Sequence, residues 1–200
     1  MIDTRAADAL RLHFVRHGSA TDAAGRCIGQ TDLELSKEGR RECRALARHL
    51  PIPATTCISS DLRRAHDTAT ILTEAFVIEE PRLREMHFGE WEGKTWSQLE
   101  DEVGTSPLEW SERWTTIRPP GGESFDDVVV RVREWLAALP RDGGDYLVVA
   151  HAGSIRAAAA VLLDMPLPRV FSLALDHCHV STVELSPRGA TLIRWNCAGF

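Results

Sequence analysis

Residues 12–22, LHFVRHGSATD, begin as a buried strand and end in a cation, an imidazole and a glycine. The apolar residues up to Val15 are typical of a core strand, and Gly18 supplies a turn that needs no side chain. Arg16 and His17 therefore come at the carboxyl end of a strand. Ligands bind at that edge of open α/β sheets. The stretch thus predicts an anion site there.

A second stretch, YLVVAH at residues 146–151, ends in the same way. The residues before His151 are apolar throughout, as in a central strand that is buried on both faces. Gly153 follows at the next turn, and a helix, SIRAAAAVLLD, leaves that turn. The chain therefore contains two core strands that each deliver a histidine to the sheet edge.

Helical patterns alternate with the strands. Ser36 and Asp61 are candidate N-caps for helices over residues 35–50 and 61–76, with a short strand at residues 55–60 between them. A third helix follows Ser124, with apolar side chains at 3.6-residue spacing on one face. These apolar residues are Phe125, Val128, Val132, Trp135, Leu136 and Leu139.

The chain closes with two β-rich runs, HVSTVELS and ATLIRWN, which Pro187, Arg188 and Gly189 separate as in a hairpin. Strands that alternate with helices predict a three-layer α/β/α sandwich, with a mostly parallel central sheet and an antiparallel edge strand. We expect one domain over residues 1–200, with a helical, Trp-rich cap segment at about residues 90–120.

Composition narrows the classes of function. The chain has 200 residues, of which 44% are apolar and 26% charged, and its formal net charge of -6 argues against a broad nucleic-acid-binding face. The longest wholly apolar run, residues 157–163, is too short to span a bilayer, and we expect no signal peptide in the first residues. Five cysteines without a CxxC pair indicate reduced thiols. We expect a cytoplasmic monomer or homodimer.

Four stretches place a cation, an imidazole or a carboxylate at the end of a strand or the start of a helix. They are VRHG, SSDLRRAHDTA, LREMHFGEWEG and VVAHAGSIR. In this order they resemble the histidine phosphatase superfamily, the group that includes cofactor-dependent phosphoglycerate mutase, and the resemblance runs from Leu10 to about Asn196. It implies a phosphoglycerate mutase-like fold and a small phosphorylated substrate, with no cofactor and no metal.

The resemblance also implies a role for each residue of the site. His17 matches the nucleophile, and Arg16 matches the arginine beside it. Arg64 matches the second arginine of the family pattern, and His151 matches the second histidine. Glu85 matches the acid that protonates the leaving oxygen and then activates water.

These roles agree with the chemistry of phosphate esters. A phosphomonoester carries about two negative charges near pH 7. Arg16, Arg64 and a protonated His151 can balance them, and the backbone N–H groups from Ala152 onward add donors at a helix start. His17 must attack as a neutral imidazole, and the neighbouring guanidiniums lower its pKa. We expect a two-step transfer through a phosphohistidine.

The chain departs from the family pattern after RHG. The family often has Glu and Thr where this chain has Ser19 and Ala20. One expected hydroxyl contact with phosphate is therefore missing, and Thr21 and Ser19 are the candidates to replace it. The following run, GRCIGQTDLELSKEG, resembles the family's G-x-x-D-x-x-L-x-x-x-G run, in which Gly29 and Asp32 shape the pocket wall.

Two histidines near the carboxyl end suggest a metal site at first sight. His177 and His179 flank Cys178, and this spacing on a strand puts both imidazoles on one face. A closed zinc site needs four ligands, and no second ligand pair follows. We therefore predict no metal, and we expect one of these histidines to line the rim of the phosphate pocket.

The tryptophans leave two interpretations open. Trp91, Trp96, Trp110 and Trp114 either pack two short helices onto the sheet or form a cap whose rings stack on an apolar part of the substrate. LREMHFGEWEGKTW and PPGGES look most like the α-ribazole phosphatase branch, whose substrate carries a dimethylbenzimidazole ring. Many broad-specificity phosphatases of the family share these features.

The leading hypothesis is a metal-independent phosphomonoester hydrolase that acts through a phosphohistidine, with α-ribazole-5'-phosphate as a candidate substrate. One alternative is phosphoryl transfer of the phosphoglycerate mutase type. The family's mutases are longer and carry an extra substrate-enclosing segment that is not found in this sequence, which favours hydrolysis. The other alternative is a family member that binds phosphate without catalysis.

Overall fold

The computed structural model describes residues 9–50, 56–100, 107–140 and 143–199. Within them, six strands form one sheet in the order β3-β2-β4-β1-β5-β6. The strands are β1 (Leu10–Arg16), β2 (Thr56–Ser59), β3 (Val77–Glu79), β4 (Gly144–Ala150), β5 (Val180–Ser186) and β6 (Gly189–Cys197). The two strands that deliver the histidines, β1 and β4, are neighbours at the centre of the sheet.

Most of the sheet is parallel, as predicted. β1, β4, β2 and β3 pair in parallel, and β5 runs antiparallel to both β1 and β6. The predicted hairpin joins β5 to β6 and forms the antiparallel edge of the sheet. In the described sheet, only β5 runs opposite to the other strands, and it lies next to the edge strand β6. β3 was not predicted, because three residues are too few to show a period of two.

Helices cover both faces of the sheet and confirm the three-layer sandwich. They are α1 (Lys37–Ala47), α2 (Arg63–Leu72), α3 (Trp96–Glu100), α4 (Pro107–Arg113), α5 (Phe125–Ala138) and α6 (Ala152–Leu162). Successive residues of β4 point to opposite faces. Val148 packs in a buried cluster with α5 and α6, and Val149 packs in a second cluster with α1 and α2. Within the described parts of the chain, we find no helix long and apolar enough to cross a membrane.

One of the two predicted N-caps is confirmed. The Ser36 hydroxyl oxygen accepts the backbone N–H of Gly39 in the first turn of α1 at 2.9 Å. Ser124 caps α5, whose predicted apolar face is buried. The prediction for Asp61 is wrong, because α2 begins two residues later and has no side-chain cap. The Asp61 carboxylate instead accepts two N–H bonds from Arg84, at 2.8 and 2.5 Å, which lower the pKa of the Asp61 carboxyl group.

The Trp-rich segment forms α3 and α4, which agrees with the two short helices expected there. Residues 101–106 of this segment lie outside the described residues.

Candidate active site

The ends of β1 and β4 bring the two predicted histidines together. The strands are in register so that Arg16 lies opposite Ala150. The backbone N–H of His17 donates to the carbonyl oxygen of Ala150 at 3.0 Å. As a result, the imidazole centroids of His17 and His151 are 4.8 Å apart.

Arg64 determines which nitrogen of His17 carries the ring proton. Its guanidinium donates to the carbonyl oxygens of Thr31 at 2.8 Å and Gly29 at 2.5 Å, and its Nε lies 3.3 Å from Nε2 of His17. Since arginine only donates, Nε2 of His17 is the acceptor. The ring proton is therefore on Nδ1, which donates to the carbonyl oxygen of Gly18 at 2.7 Å. His17 thus presents a lone pair at Nε2.

Burial keeps both imidazoles neutral. It holds the pKa of His17 well below its usual value, and the Arg64 and Arg16 guanidiniums act in the same direction. Burial and then Arg64 do the same to the pKa of His151, whose Nε2 lies 2.9 Å from the hydroxyl oxygen of Ser60. A neutral His17 agrees with the prediction. His151 is fully buried, and its protonated form beside a bound phosphate stays a prediction.

Arg16 is anchored at one end only. Its Nη1 donates to the carbonyl oxygen of Leu175 at 2.5 Å. Its Nε is buried and has no hydrogen-bond partner among the described residues. A buried N–H without an acceptor costs about 1–3 kcal/mol. Arg16 therefore favours an incoming acceptor such as a phosphoryl oxygen.

The Glu85 carboxylate is held against the start of α6. Its two oxygens accept the backbone N–H of Gly153 at 3.0 and 3.1 Å, and one of them accepts the N–H of Met86 at 2.9 Å. The sequence predicts that N–H groups from Ala152 onward face the bound anion, but the N–H of Gly153 holds Glu85 instead. A Cβ atom at Gly153 would lie 2.0 Å from Oε1 of Glu85. Only glycine permits this approach.

Two residues that sequence reasoning missed support the site from behind. The Glu92 carboxylate accepts backbone N–H bonds of 2.8 to 3.2 Å from Gly29, Gln30 and Thr31. The Arg131 guanidinium donates, at 2.7 to 3.0 Å, to the carbonyl oxygens of Arg82, Arg84 and Glu85. Arg131 lies between Val130 and Val132 of α5. A cation within an apolar run of a helix is the sequence signal that could have indicated its structural role.

A cavity of about 330 Å³ opens at this edge of the sheet. Four of the five predicted catalytic residues line it, namely Arg16, His17, Arg64 and Glu85. The other lining residues are Ser19, Ala20, Ala23, Ala24, Arg26, Ile28 and His177. The expectation that His177 or His179 reaches the pocket thus holds for His177.

Two predicted binding residues take other positions. Thr21 is exposed, and its hydroxyl donates to the carbonyl oxygen of Glu34 at 3.4 Å. Gly29 holds Arg64 and is not among the residues that line the cavity in the described part of the chain. Ser19 does line the cavity, but its hydroxyl donates to the Glu42 carboxylate at 2.9 to 3.0 Å.

The tryptophans pack on one another. Trp91, Trp96 and Trp110 form a cluster with ring centroids 5.8 to 6.4 Å apart. Trp114 packs edge-on against two phenylalanines, Phe125 and Phe171. Among the described residues, none of the four lines the cavity. This arrangement supports the packing interpretation over stacking on substrate.

His177 and His179 lie in a turn before β5 and not on a strand, so the expected common strand face does not exist. The turn depends on Cys178, whose φ of 53° is in the left-handed region. In the parts of the chain that the structure describes, no cluster of three or more His, Cys, Asp or Glu residues is placed to hold a metal ion.

Fold and site together define the class of protein. A sheet edge that gathers two histidines, two arginines and a carboxylate has the groups that phosphate-ester chemistry needs. The model of the histidine phosphatase superfamily (branch 1) matches residues 12–198. The chain belongs to this superfamily, and it is a phosphatase.

Named relatives and solved structures agree with this assignment. The chain is 40% identical over 174 residues to glucosyl-3-phosphoglycerate phosphatase of Mycobacterium tuberculosis, which covers 80% of this chain and 78% of the relative. It is 30% identical over 192 residues to adenosylcobalamin/alpha-ribazole phosphatase of Salmonella typhimurium, with 92% and 94% covered. The crystal structure of the alpha-ribazole phosphatase from Shigella flexneri superposes with a TM-score of 0.90 at 26% identity, and covers 96% of this chain and 98% of its own.

The lowered histidine pKa values predict how stability depends on pH. His17, His151 and His177 are neutral in the folded protein and take up protons near pH 6.5 when unfolded. Their contribution is therefore complete above about pH 6.5 and is lost as the pH falls, by up to about 1.4 kcal/mol per pH unit for each histidine. Urea unfolding of wild type and His17→Asn between about pH 7.5 and 5 measures this. The variant should show a shallower decline, and equal slopes would contradict the assignment.

Proposed function

We propose that the protein hydrolyses phosphomonoesters through a covalent phosphate on Nε2 of His17. The observation that carries this proposal is the hydrogen-bond pair that places the proton of His17, a residue that lines the cavity, on Nδ1 and leaves a lone pair on Nε2. An imidazole in this tautomer is ready to attack phosphorus without first losing a proton. The long 3.3 Å bond from Arg64 passes to a phosphoryl oxygen when substrate enters.

The arginines provide the charge that the phosphoryl group requires. A dianionic phosphoryl group meets two fixed cations, Arg16 and Arg64, and the buried Nε of Arg16 gains the acceptor that it lacks. Both guanidiniums are already held by backbone carbonyls, so little reorganisation accompanies the charge that develops in the transition state.

In the first step, Nε2 of His17 forms the P–N bond and the ester P–O bond breaks. A proton carried by the Glu85 carboxyl group passes to the leaving oxygen. In the second step, the Glu85 carboxylate takes a proton from water as the water oxygen attacks phosphorus. The P–N bond then breaks, which releases inorganic phosphate and restores the neutral His17.

Two phosphate esters are candidate substrates, and Arg26 in the cavity supports one of them. Beyond the proposed phosphoryl site, the cavity is lined by Arg26 and by four apolar residues, Ala20, Ala23, Ala24 and Ile28. The tryptophans pack elsewhere. The Arg26 cation suits a carboxylate-bearing ester such as glucosyl-3-phosphoglycerate, on which the 40% identical relative is named to act. α-Ribazole phosphate is the second candidate, which the overall likeness to alpha-ribazole phosphatases supports. A cytoplasmic location and a monomeric or dimeric state stay predictions from the sequence.

The substrate assignment predicts a ranking of specificity constants. We expect kcat/KM for glucosyl-3-phosphoglycerate to exceed that for α-ribazole phosphate by about tenfold or more, which corresponds to about 1.4 kcal/mol of differential transition-state binding. Initial-rate assays of released phosphate with both esters measure the ratio. The reverse ranking would assign the chain to the second candidate.

His17→Ala tests the nucleophile. We expect kcat for p-nitrophenyl phosphate to fall by about 10³-fold or more, because no other group forms the covalent intermediate. EDTA should leave wild-type turnover unchanged, and acid-quenched wild type should retain labelled phosphate that the variant lacks. His66→Ala, which changes an imidazole at the surface, is the matched control. Undiminished turnover in His17→Ala would refute the mechanism.

Glu85→Gln and Gly153→Ala test the acid. Loss of a general acid costs about 10²–10⁴-fold, and the cost depends on the leaving group. We expect kcat/KM for an alkyl phosphate to fall far more than kcat/KM for p-nitrophenyl phosphate, whose phenolate leaves without a proton. Gly153→Ala should act in the same direction, since its Cβ displaces the Glu85 carboxylate. An equal fall for both esters would exclude an acid role.

A further inference from the structure

His177 is a third imidazole at the site, and the proposed hydrolysis does not use it. Its ring centroid is 5.4 Å from that of His17, and it lines the cavity. The turn that carries it is tied to the end of β1, because the backbone N–H of Cys178 donates to the carbonyl oxygen of Arg16 at 2.9 Å. His177 is therefore held beside the nucleophile by the same strand that positions the nucleophile.

Ser19 and Glu42 determine the orientation of this ring. Both the backbone N–H and the hydroxyl of Ser19 donate to the Glu42 carboxylate at 2.9 to 3.0 Å. Since the hydroxyl proton is used in this way, the Ser19 oxygen is the acceptor for Nδ1 of His177, which lies 3.4 Å away. His177 therefore carries its proton on Nδ1, and its Nε2 has a lone pair.

The charges around His177 come from several elements. Burial is the main cause that lowers the pKa of His177 to about 4, and the Arg16 guanidinium and the more distant Arg64 act in the same direction. Glu42 on α1 and Asp176 in the adjoining turn oppose them. His17, which is itself neutral, faces it across the cavity. A phosphate dianion beside the ring would strongly favour its protonated form.

We propose that His177 takes up one proton from solvent when a phosphoryl group binds, and that its Nε2–H then donates to a phosphoryl oxygen. Glu42, acting through Ser19, is a positioning residue for this contact. The proton is returned to solvent when phosphate leaves, so the net reaction is unchanged. This inference rests on the proposed function, because it assigns a further residue to the same phosphoryl site.

Inhibition of p-nitrophenyl phosphate hydrolysis by inorganic phosphate tests the contact. Near pH 6, we expect His177→Ala to raise the inhibition constant about tenfold, the scale of one charge-assisted hydrogen bond. The stabilisation is present where the bound imidazole is protonated and is lost as the pH rises, so the difference should shrink toward about pH 8. Comparing variant with wild type at each pH cancels the titration of phosphate itself. His66→Ala, a surface histidine, is the control.

Two further variants separate a contact from a general loss of structure. His177→Gln keeps a donor without a charge, so it should restore part of the affinity but none of the extra pH dependence. As a single substitution, Ser19→Ala should raise the inhibition constant for phosphate. Combined with His177→Ala, it should cause no further increase, as expected for residues that act as a unit. Additive effects would overturn the positioning role.

An inhibition constant that is unchanged in His177→Ala, or raised equally at both pH values, would overturn the proton-linked contact. The His17→Ala variant tests the proposed function separately from this inference. If His17→Ala keeps its activity, the phosphohistidine mechanism fails. If His17→Ala is inactive and His177→Ala behaves as wild type, only the present inference fails.

Discussion

The parallel pairing of β1 with β4 is the constraint on which the rest of the site depends. Both strands end at the same edge, with Arg16 opposite Ala150, so the histidine that follows each strand lies beside the other. A shift of one residue would turn every side chain of a strand to the opposite face of the sheet. Successive valines of β4 are buried in separate clusters on the two faces. Packing on both faces therefore holds the register that places the two imidazoles together.

The arginines show how buried charge is stabilised before a phosphate arrives. Arg64 is only 1% exposed, and backbone carbonyls of the loop that precedes α1 satisfy two of its nitrogens. That loop is held in turn by the Glu92 carboxylate, which accepts three of its N–H groups. A carboxylate thus determines the position of a cation without neutralising it by direct contact. The Arg64 guanidinium therefore keeps its positive charge available for an anion, and its position is fixed before the anion binds.

Local patterns predict the parts of the molecule that local interactions determine. The two strand ends, the Ser36 cap and the apolar face of α5 follow from residues that are close in the sequence. The errors fall where a distant residue competes. Asp61 does not cap α2 because Arg84 binds its carboxylate, and the N–H of Gly153 does not serve an anion because Glu85 accepts it. The role of Glu92 could not be predicted from local patterns, because its partners lie about sixty residues earlier in the chain.

Chemistry and substrate selection come from different parts of the chain. Of the residues proposed to act on phosphate, His17 follows a strand end and Arg64 lies in a first helical turn, where backbone hydrogen bonds hold them. The outer cavity is lined by residues 19–28, which form turns and isolated bridges. Changes in this loop leave His17 in place, because its backbone is bonded to β4. The relatives at 40% and 30% identity carry names with different alcohols and the same phosphate-ester chemistry. Because residues 19–28 line the outer cavity and the tryptophans do not, we expect this loop to select the alcohol.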